Sequence, residues 1–291
     1  MKIAAKNELC GWILSLPAIG GTVFFYIYPT VRAVITSLHN NIELDEFVGF
    51  RNYFELFEST AFRLALKNTI LFDLIAIPLI VLLPFIFAEY VNRNRRITGI
   101  VQKSVFFSIL IPSASLMVYV DLVCGKNGII VSVLDLDTDI YNSQYAFALL
   151  IILYLFKYGG FNYFIYTVIL NRIDRSYYEE AYISGASVWQ SIQYITLPFC
   201  LPYTVIAIVL SLMNAYKIYR EAYLIGGYYP NEHIYLFQHF INNNFIHMNY
   251  TRLCCVSVVI LLFTVWAVIL VLGIFRLTWK NGVRKLMGKK Q

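Results

Sequence analysis

Long apolar runs separated by short polar segments dominate the chain. Six of these runs reach the roughly 17–25 residues that a helix needs to cross the hydrocarbon core of a bilayer. Runs this long with so few charges are typical of membrane spans rather than of core helices in soluble proteins. The predicted spans are Cys10–Val31, Asn68–Val91, Val105–Cys124, Tyr145–Leu170, Pro202–Tyr219 and Leu253–Phe275.

These spans set the predicted domain organisation, which is an all-α membrane protein of six transmembrane helices. We expect an N-terminal tail over 1–9, one transmembrane domain over 10–275 and a basic tail over 276–291. The first run is longer than the apolar core of a signal peptide and lacks a small-residue cleavage site. It is therefore predicted to remain as a span.

Composition agrees with lipid as the main surroundings of the chain. Hydrophobic residues make up 59% of the sequence and charged residues 14%, with a mean hydropathy of +0.64. Soluble domains carry about 25% charged residues. The chain has too few charges to cover a water-facing surface of its size, so membrane lipid is a predicted contact.

The lysines and arginines orient the predicted spans. They concentrate before the first span, between spans two and three, between spans four and five, and after span six. By the positive-inside rule these segments are cytoplasmic, and so are both termini. The formal charge of +6 is therefore a signal of topology in the cell membrane, and no nucleic acid is expected as a partner.

Cysteine and histidine spacing predicts neither a metal site nor a cofactor. The five cysteines form no CxxC pair, and the four histidines lack the i, i+4 spacing of a helical metal pair. The sequence also lacks the GxxxxGK[ST] phosphate loop, so the chain is not expected to hydrolyse ATP by that means. Energy for any transport would come from a partner or an ion gradient.

The segment 172–202, between the fourth and fifth spans, carries the densest local signals. Ser176 followed by Glu179 has the spacing of a capping box, which predicts a short helix from Tyr177. Gly185 can adopt the left-handed conformation that ends such a helix. The glycine therefore predicts a turn shortly after the first helix.

A second short helix is predicted after this glycine, because Ser187 followed by Gln190 repeats the capping-box spacing. Pro198 and Pro202 are expected to break the helical pattern before span five. The product is a helix–glycine–helix elbow at the cytoplasmic face. Its aromatic residues fit either headgroups or a docked protein, and its two glutamates favour the protein, since anionic lipid attracts basic residues.

The elbow resembles the EAA loop of permeases in binding-protein-dependent ABC importers. The family pattern is EAA, three residues, Gly, nine residues, Ile, one residue and Leu-Pro. Glu180 departs from it by replacing the first Ala, and Ser184 stands where sugar permeases usually have Asp. The positions that the resemblance assigns to docking, with Glu180 among them, are Glu179, Glu180, Ala181, Gly185, Ile195, Leu197 and Pro198.

Weaker similarities to the same family occur at Phe47–Phe57, Leu66–Phe72 and Gly160–Tyr166. Together they imply the type I ABC importer permease fold, with the elbow as its coupling loop. The implied partners are a second homologous permease, a cytoplasmic ATPase dimer and an extracellular solute-binding protein. Glu179 would pair with a basic residue of the ATPase. The implied function is import of a carbohydrate, an oligosaccharide in the first instance, by alternating access.

Polar residues inside spans four and five are candidates for the substrate path, because such groups are costly against lipid. Aromatic rings and amides also suit the apolar faces and hydroxyls of sugars. Gly160, Tyr163 and Ser211 share their spacing with substrate contacts in maltose-transporting members of the family. The alternative is packing between helices. The full candidate set is Lys157, Gly160, Asn162, Tyr163, Ser211 and Asn214.

Two other function classes remain open from the residues alone. An ion-coupled secondary transporter of a small polar solute would use Asp73, Asp121 or Lys157 as its coupling group, with Glu89 as a further relay acid. Lys157 is expected to reach Asp73 or Asp121 if it pairs within the membrane. A membrane-embedded enzyme ranks last, because the histidines lie outside the spans.

Overall fold

The chain is helical almost throughout the part that the structure describes. The computed structural model describes residues 12, 14–43, 46–94, 99, 101, 104–105, 108, 110–126, 128–133 and 139–287, without the side chains of 130 and 278–287. Apart from helices, the described residues include one isolated antiparallel bridge, between His39 and Phe47. The helices are α1 (Leu14–Ser37), α2 (Arg51–Glu58), α3 (Thr60–Arg93), α4 (Ser113–Cys124), α5 (Ile129–Val133), α6 (Tyr145–Leu170), α7 (Arg175–Ile183), α8 (Val188–Gly226), α9 (Phe237–Ile246) and α10 (Tyr250–Met287).

Five of the described helices are long and apolar enough to cross a membrane, namely α1, α3, α6, α8 and α10. They correspond to five of the six predicted spans, and the bounds of α6 agree with the prediction at both ends. The predicted third span falls partly on residues outside the described ones. Its second half is α4, a shorter apolar helix. The all-α class is confirmed.

The chain divides into two compact units, of which one comprises Met1–Arg63 and Ile241–Phe263. In this unit, the side-chain amide of Asn52 donates to the carbonyls of Ser37 at 2.9 Å and His39 at 2.8 Å. The hydroxyls of Tyr53 and Ser37 are hydrogen-bonded at 2.6 Å. These bonds fix the short helix α2 against the end of α1.

The other unit comprises Leu64–Phe240 and Thr264–Gln291 and contains most of α3, all of α6 and all of α8. Its core includes the fully buried rings of Phe72 and Tyr154, which meet edge to face with centroids 5.3 Å apart. The fully buried Ala76 and Ala207 lie in the same core. Small residues of this kind let membrane helices approach closely.

A proline inside α3 explains one of the two hydrogen bonds by which a single amide joins three helices. Pro84 has no N–H, so the carbonyl of Ile80 loses its usual donor. The amide nitrogen of Asn162 on α6 donates to that carbonyl at 2.9 Å and to the hydroxyl of Ser211 on α8, also at 2.9 Å. A neighbouring helix often satisfies backbone groups that a proline frees within a membrane. Asn162 therefore ties α3, α6 and α8 together.

Candidate functional site: the elbow and the polar layer within the spans

The first helix of the elbow begins earlier than its sequence suggests. Asp174 is the N-cap of α7, and its carboxylate accepts a hydrogen bond from the backbone N–H of Ser176 at 3.0 Å. The prediction that Ser176 caps a helix starting at Tyr177 is wrong. The Asp174 carboxylate lies two residues before Ser176 on an extended backbone, so it satisfies the first free N–H groups itself.

Gly185 ends α7 as predicted. Its φ of +75° lies in the left-handed region. The N–H of Gly185 bonds the carbonyl of Tyr182 at 3.0 Å, and the N–H of Ala186 bonds the carbonyl of Ala181 at 2.9 Å. This pair of bonds is a Schellman motif, which satisfies the last carbonyls of the helix. A Cβ at Gly185 would meet no atom within 4 Å, so the requirement for glycine is conformational rather than steric.

The second capping box is present as predicted. The N–H of Ser187 donates to the side-chain oxygen of Gln190 at 2.7 Å, and the N–H of Gln190 donates to the Ser187 hydroxyl at 3.3 Å. The two reciprocal bonds start α8. Both ends of the turn around Gly185 are therefore fixed by local hydrogen bonds, so the elbow has a defined shape.

The predicted break before span five is wrong, because α8 continues from Val188 to Gly226 through both prolines. A π-helical turn occupies Ile192–Thr196, and the N–H of Leu197 bonds the carbonyl of Ile192, five residues back. Pro198 comes directly after this turn, where α-helical hydrogen bonding resumes. Its missing N–H therefore falls where the backbone hydrogen-bond pattern already changes. The elbow is thus joined to the fifth span without a flexible break.

Large apolar side chains of the elbow are exposed. Tyr182, Ile183 and Trp189 are 82%, 84% and 71% exposed. Exposed apolar clusters of this kind mark sites of contact with another protein or with a membrane. The seven predicted docking residues vary in exposure: Glu179, Glu180, Gly185, Leu197 and Pro198 are exposed, and Ala181 and Ile195 are half-buried.

The other face of the elbow is attached to the end of α3. The hydroxyls of Tyr178 and Thr196 are hydrogen-bonded at 2.9 Å, and the Thr196 hydroxyl donates to the Glu89 carboxylate at 3.5 Å. That carboxylate also pairs with Arg93 at 2.7 Å, and the Arg93 guanidinium carbon lies 5.9 Å from the Tyr178 ring centroid. Glu89 is buried. A movement of the elbow would therefore act on α3 as well as on α8.

Two of the predicted substrate-path residues meet in the core. Asn162 and Ser211 are both 2% exposed and bond each other, as described above. Tyr163 is also buried, with its ring 5.4 Å from that of Phe87. Gly160 is buried in the same helix. Protein groups already satisfy the Asn162 amide, and its contact with a substrate stays a prediction.

Asn214, the last residue of the predicted path, lies near the end of the long α-helical stretch of α8 and is half-buried. Its side-chain oxygen accepts a hydrogen bond from Lys217 at 3.0 Å. Asn214 lies three residues after Ser211 in the same helix. Its role in the path also stays a prediction.

Lys157 pairs with a residue that the sequence analysis did not consider. Its ammonium donates to the carboxylate of Glu221 on α8 and to the hydroxyl of Ser113 on α4. The expected partners Asp73 and Asp121 are therefore wrong. Asp73 is buried elsewhere in the core, and Asp121 is exposed and accepts a bond from the Tyr141 hydroxyl at 3.3 Å.

One sequence signal for Glu221 exists. The apolar pattern of the fifth span resumes beyond Tyr219 with Ala222, Leu224 and Ile225, which places Glu221 within the same helix. Acids within such helices commonly pair with a cation, and Lys157 is the basic residue inside the fourth span. Among the described residues, no group of three or more His, Cys, Asp or Glu could hold a metal ion.

Comparison with known proteins identifies relatives over most of the chain. Residues 74–278 match the family of binding-protein-dependent transport system inner membrane components. The lactose transport system permease protein LacF of Rhizobium radiobacter is 28% identical over 74% of this chain and 76% of its own length. The arabinooligosaccharides transport system permease protein AraP of Bacillus subtilis is 23% identical over 76% of this chain and 73% of its own.

A solved structure has the same fold. The crystal structure of a bacterial ABC transporter involved in the import of the acidic polysaccharide alginate contains a chain that matches with a TM-score of 0.78 at 19% identity. The match covers 93% of this chain and 96% of that chain. These matches confirm the predicted ABC importer permease fold and do not favour the ion-coupled hypothesis. The chain belongs to the family of binding-protein-dependent transport system inner membrane components, and it is a permease subunit of an ABC importer.

Proposed function

We propose that this chain is one of two similar membrane subunits that together carry a carbohydrate, in the first instance an oligosaccharide, across the cell membrane. Its relatives are named for transport of lactose, arabinooligosaccharides and trehalose or maltose. One matching structure was solved in complex with a periplasmic protein bound to alginate pentasaccharide. By analogy, an extracellular solute-binding protein delivers the sugar to this chain and its partner permease.

A cytoplasmic ATPase dimer is the proposed source of energy, and the elbow is its proposed docking surface. The observation that carries this proposal is the exposure of Tyr182, Ile183 and Trp189 beside the acidic Glu179 and Glu180. Burying three large apolar side chains favours association through the hydrophobic effect, which must exceed the entropy lost on docking. The glutamates add a charge that a basic residue on the ATPase can complement.

The way the elbow is attached supports the proposal of alternating access. When ATP closes the ATPase dimer, a push on α7 reaches α8 through the turn at Gly185 and reaches α3 through the Tyr178–Thr196–Glu89 contacts. Reorientation of these helices would open the path to the opposite side of the membrane. The proposed topology places both termini, 1–9 and 276–291, in the cytoplasm, with a transmembrane domain over 10–275.

The test uses the organism that carries the gene, with each variant introduced at the native chromosomal locus. We expect deletion of the gene to abolish uptake of at least one sugar among labelled lactose, trehalose, arabinooligosaccharides and trigalacturonate. Gly185→Asp and Glu179→Lys should abolish uptake of the same sugar, because the first adds a side chain and an acid at the exposed turn of the docking surface and the second reverses the docking charge. Immunoblots of membrane fractions check that both variants insert.

Two substitutions serve as matched controls. Gly49→Asp introduces the same side chain at another left-handed glycine, with a φ of +58°, and Glu58→Lys reverses an exposed charge outside the elbow. Both controls should retain uptake. Normal uptake in Gly185→Asp and Glu179→Lys would contradict the docking proposal, and unchanged uptake of every sugar after deletion would contradict the carbohydrate assignment.

A further inference from the structure

A charged group lies halfway along a membrane-spanning helix, where it is most costly. Lys157 is at the middle of the 26-residue helix α6. Its ammonium has three N–H donors, and Glu221 and Ser113 accept two of them. One donor remains, and the side chain is still 14% exposed. Ionisable groups at this depth generally mark a substrate or ion pathway.

Lys157 lines a cavity of about 560 Å³, a volume within the roughly 300–1,000 Å³ typical of small-molecule sites. Among its described lining residues the charged ones are Lys157 and Arg220, and both are basic. Glu221, which neutralises Lys157, is fully buried and does not line the cavity. Arg220 therefore leaves the cavity with a net positive charge.

Two tyrosines add aromatic surface to the cavity. Tyr219 and Tyr223 both line the cavity, and their ring centroids are 5.7 Å apart at an interplanar angle of 45°. Aromatic faces pack against the apolar C–H faces of a sugar ring, and phenol hydroxyls bond its hydroxyl groups. The hydroxyl of Ser113 lies on the same wall as Lys157. The cavity thus combines aromatic rings and hydroxyl groups with two basic side chains.

We propose that this cavity binds an acidic carbohydrate. The guanidinium of Arg220 holds the carboxylate of a uronate unit, Lys157 supports it, and Tyr219 and Tyr223 pack against the ring. A guanidinium matches a carboxylate with two parallel hydrogen bonds, which an uncharged hydroxyl cannot reproduce. The inference rests on the proposed function and narrows its substrate class. A neutral sugar would not need the positive charge that Arg220 adds to the cavity.

The test measures equilibrium binding to the complex that copurifies with the tagged full-length chain, reconstituted in phosphatidylcholine nanodiscs. These discs hold no anionic lipid that could occupy the site. The probes are labelled trigalacturonate and labelled maltotriose, an acidic and a neutral trisaccharide. We expect the wild type to prefer trigalacturonate, and Arg220→Gln to lower the affinity for it about tenfold while leaving maltotriose unchanged.

Lys126→Gln is the matched control, because it removes one positive charge from an exposed residue that does not line the cavity. It should keep the affinity for trigalacturonate, and Arg220→Lys should recover part of the loss. Equal affinity for both probes, an unchanged Arg220→Gln variant, or no binding of either probe to the intact wild-type complex would each overturn the proposal.

The binding assay and the uptake assay together separate this proposal from the docking proposal. Gly185→Asp is expected to abolish uptake and to retain trigalacturonate binding, because its turn lies outside the cavity. If the wild type does not prefer the acidic probe while Gly185→Asp still abolishes uptake, the substrate class alone is overturned. Normal uptake in Gly185→Asp, with the preference intact, would overturn the docking proposal alone.

Discussion

The elbow and the polar layer within the spans, which consists of Lys157, Asn162, Ser211 and Glu221, arrange their side chains in opposite ways. The elbow exposes large apolar side chains such as Tyr182 and Trp189 and is shaped by backbone hydrogen bonds around Gly185. Along α6, polar side chains such as Asn162 and Lys157 are enclosed and bonded to groups far away in sequence. Each arrangement suits its surroundings, because lipid penalises unsatisfied polar groups and a protein interface gains from apolar ones.

This contrast separates residues that hold the permease together from residues that are free to bind a partner. A substitution within the polar layer leaves a partner group buried and unpaired, so it should lower stability first and transport second. A substitution on the exposed side of the elbow removes no internal contact, so it should change transport and leave stability intact. The predictions below test this division.

The largest effect on stability is expected at the Lys157–Glu221 pair. Lys157→Met leaves the Glu221 carboxylate buried without its cation, and loss of one partner of a buried pair costs about 3–5 kcal/mol. We expect a marked fall in the unfolding temperature of the purified protein, measured by fluorescence-detected gel filtration after heating. Tyr182→Ala, on the exposed side of the elbow, should leave that temperature unchanged.

The double variant Lys157→Met/Glu221→Met provides the control for this prediction. Replacing both partners by apolar side chains removes the unpaired charge, so most of the lost stability should return. If Lys157→Met alone were as stable as the wild type, the pair would not hold α6 and α8 together.

A smaller effect is expected at Asn162. Asn162→Leu leaves the Ile80 carbonyl without a donor, and an unsatisfied buried group costs about 1–3 kcal/mol. Pro84→Ala restores a backbone N–H four residues after Ile80, so the same Asn162→Leu change should cost less in that background. Unfolding temperatures of the wild type, the two single variants and the double variant form the required cycle.

An equal cost of Asn162→Leu in both backgrounds would contradict the assigned role of the amide. It would show that Asn162 does not replace the donor lost at Pro84. In that case the bond to Ser211 at 2.9 Å would have to account for the whole effect, and Ser211→Ala should then destabilise the protein as much as Asn162→Leu.

The same contrast explains which features the sequence could predict. The turn at Gly185 and the cap at Ser187 depend on neighbouring residues, so local spacing sufficed for them. The N-cap was misplaced because Asp174 and Ser176 compete within one turn and the backbone conformation decides between them. The length of the apolar runs likewise predicted the presence of the spans more accurately than it predicted where each span begins and ends.

Long-range pairs could not be predicted in this way. Lys157 and Glu221 are 64 residues apart, and nothing in local spacing selects Glu221 over Asp73 or Asp121. The bond from Asn162 to the Ile80 carbonyl joins residues 82 apart and depends on how α3 packs against α6. That the Asn162 amide replaces the donor lost at Pro84 becomes apparent only when the two helices are packed together.

The central claim is that the exposed side of the elbow contacts a cytoplasmic ATPase. The most direct measurement is photo-cross-linking in cells, with a benzoylphenylalanine placed at Tyr182, which is 82% exposed, or at Tyr26 on α1, which is 73% exposed. We predict that Tyr182 cross-links to a protein that mass spectrometry identifies as carrying the GxxxxGK[ST] phosphate loop, and that Tyr26 does not. Cross-links from Tyr182 to lipid alone, in membranes where the importer is active, would contradict the claim.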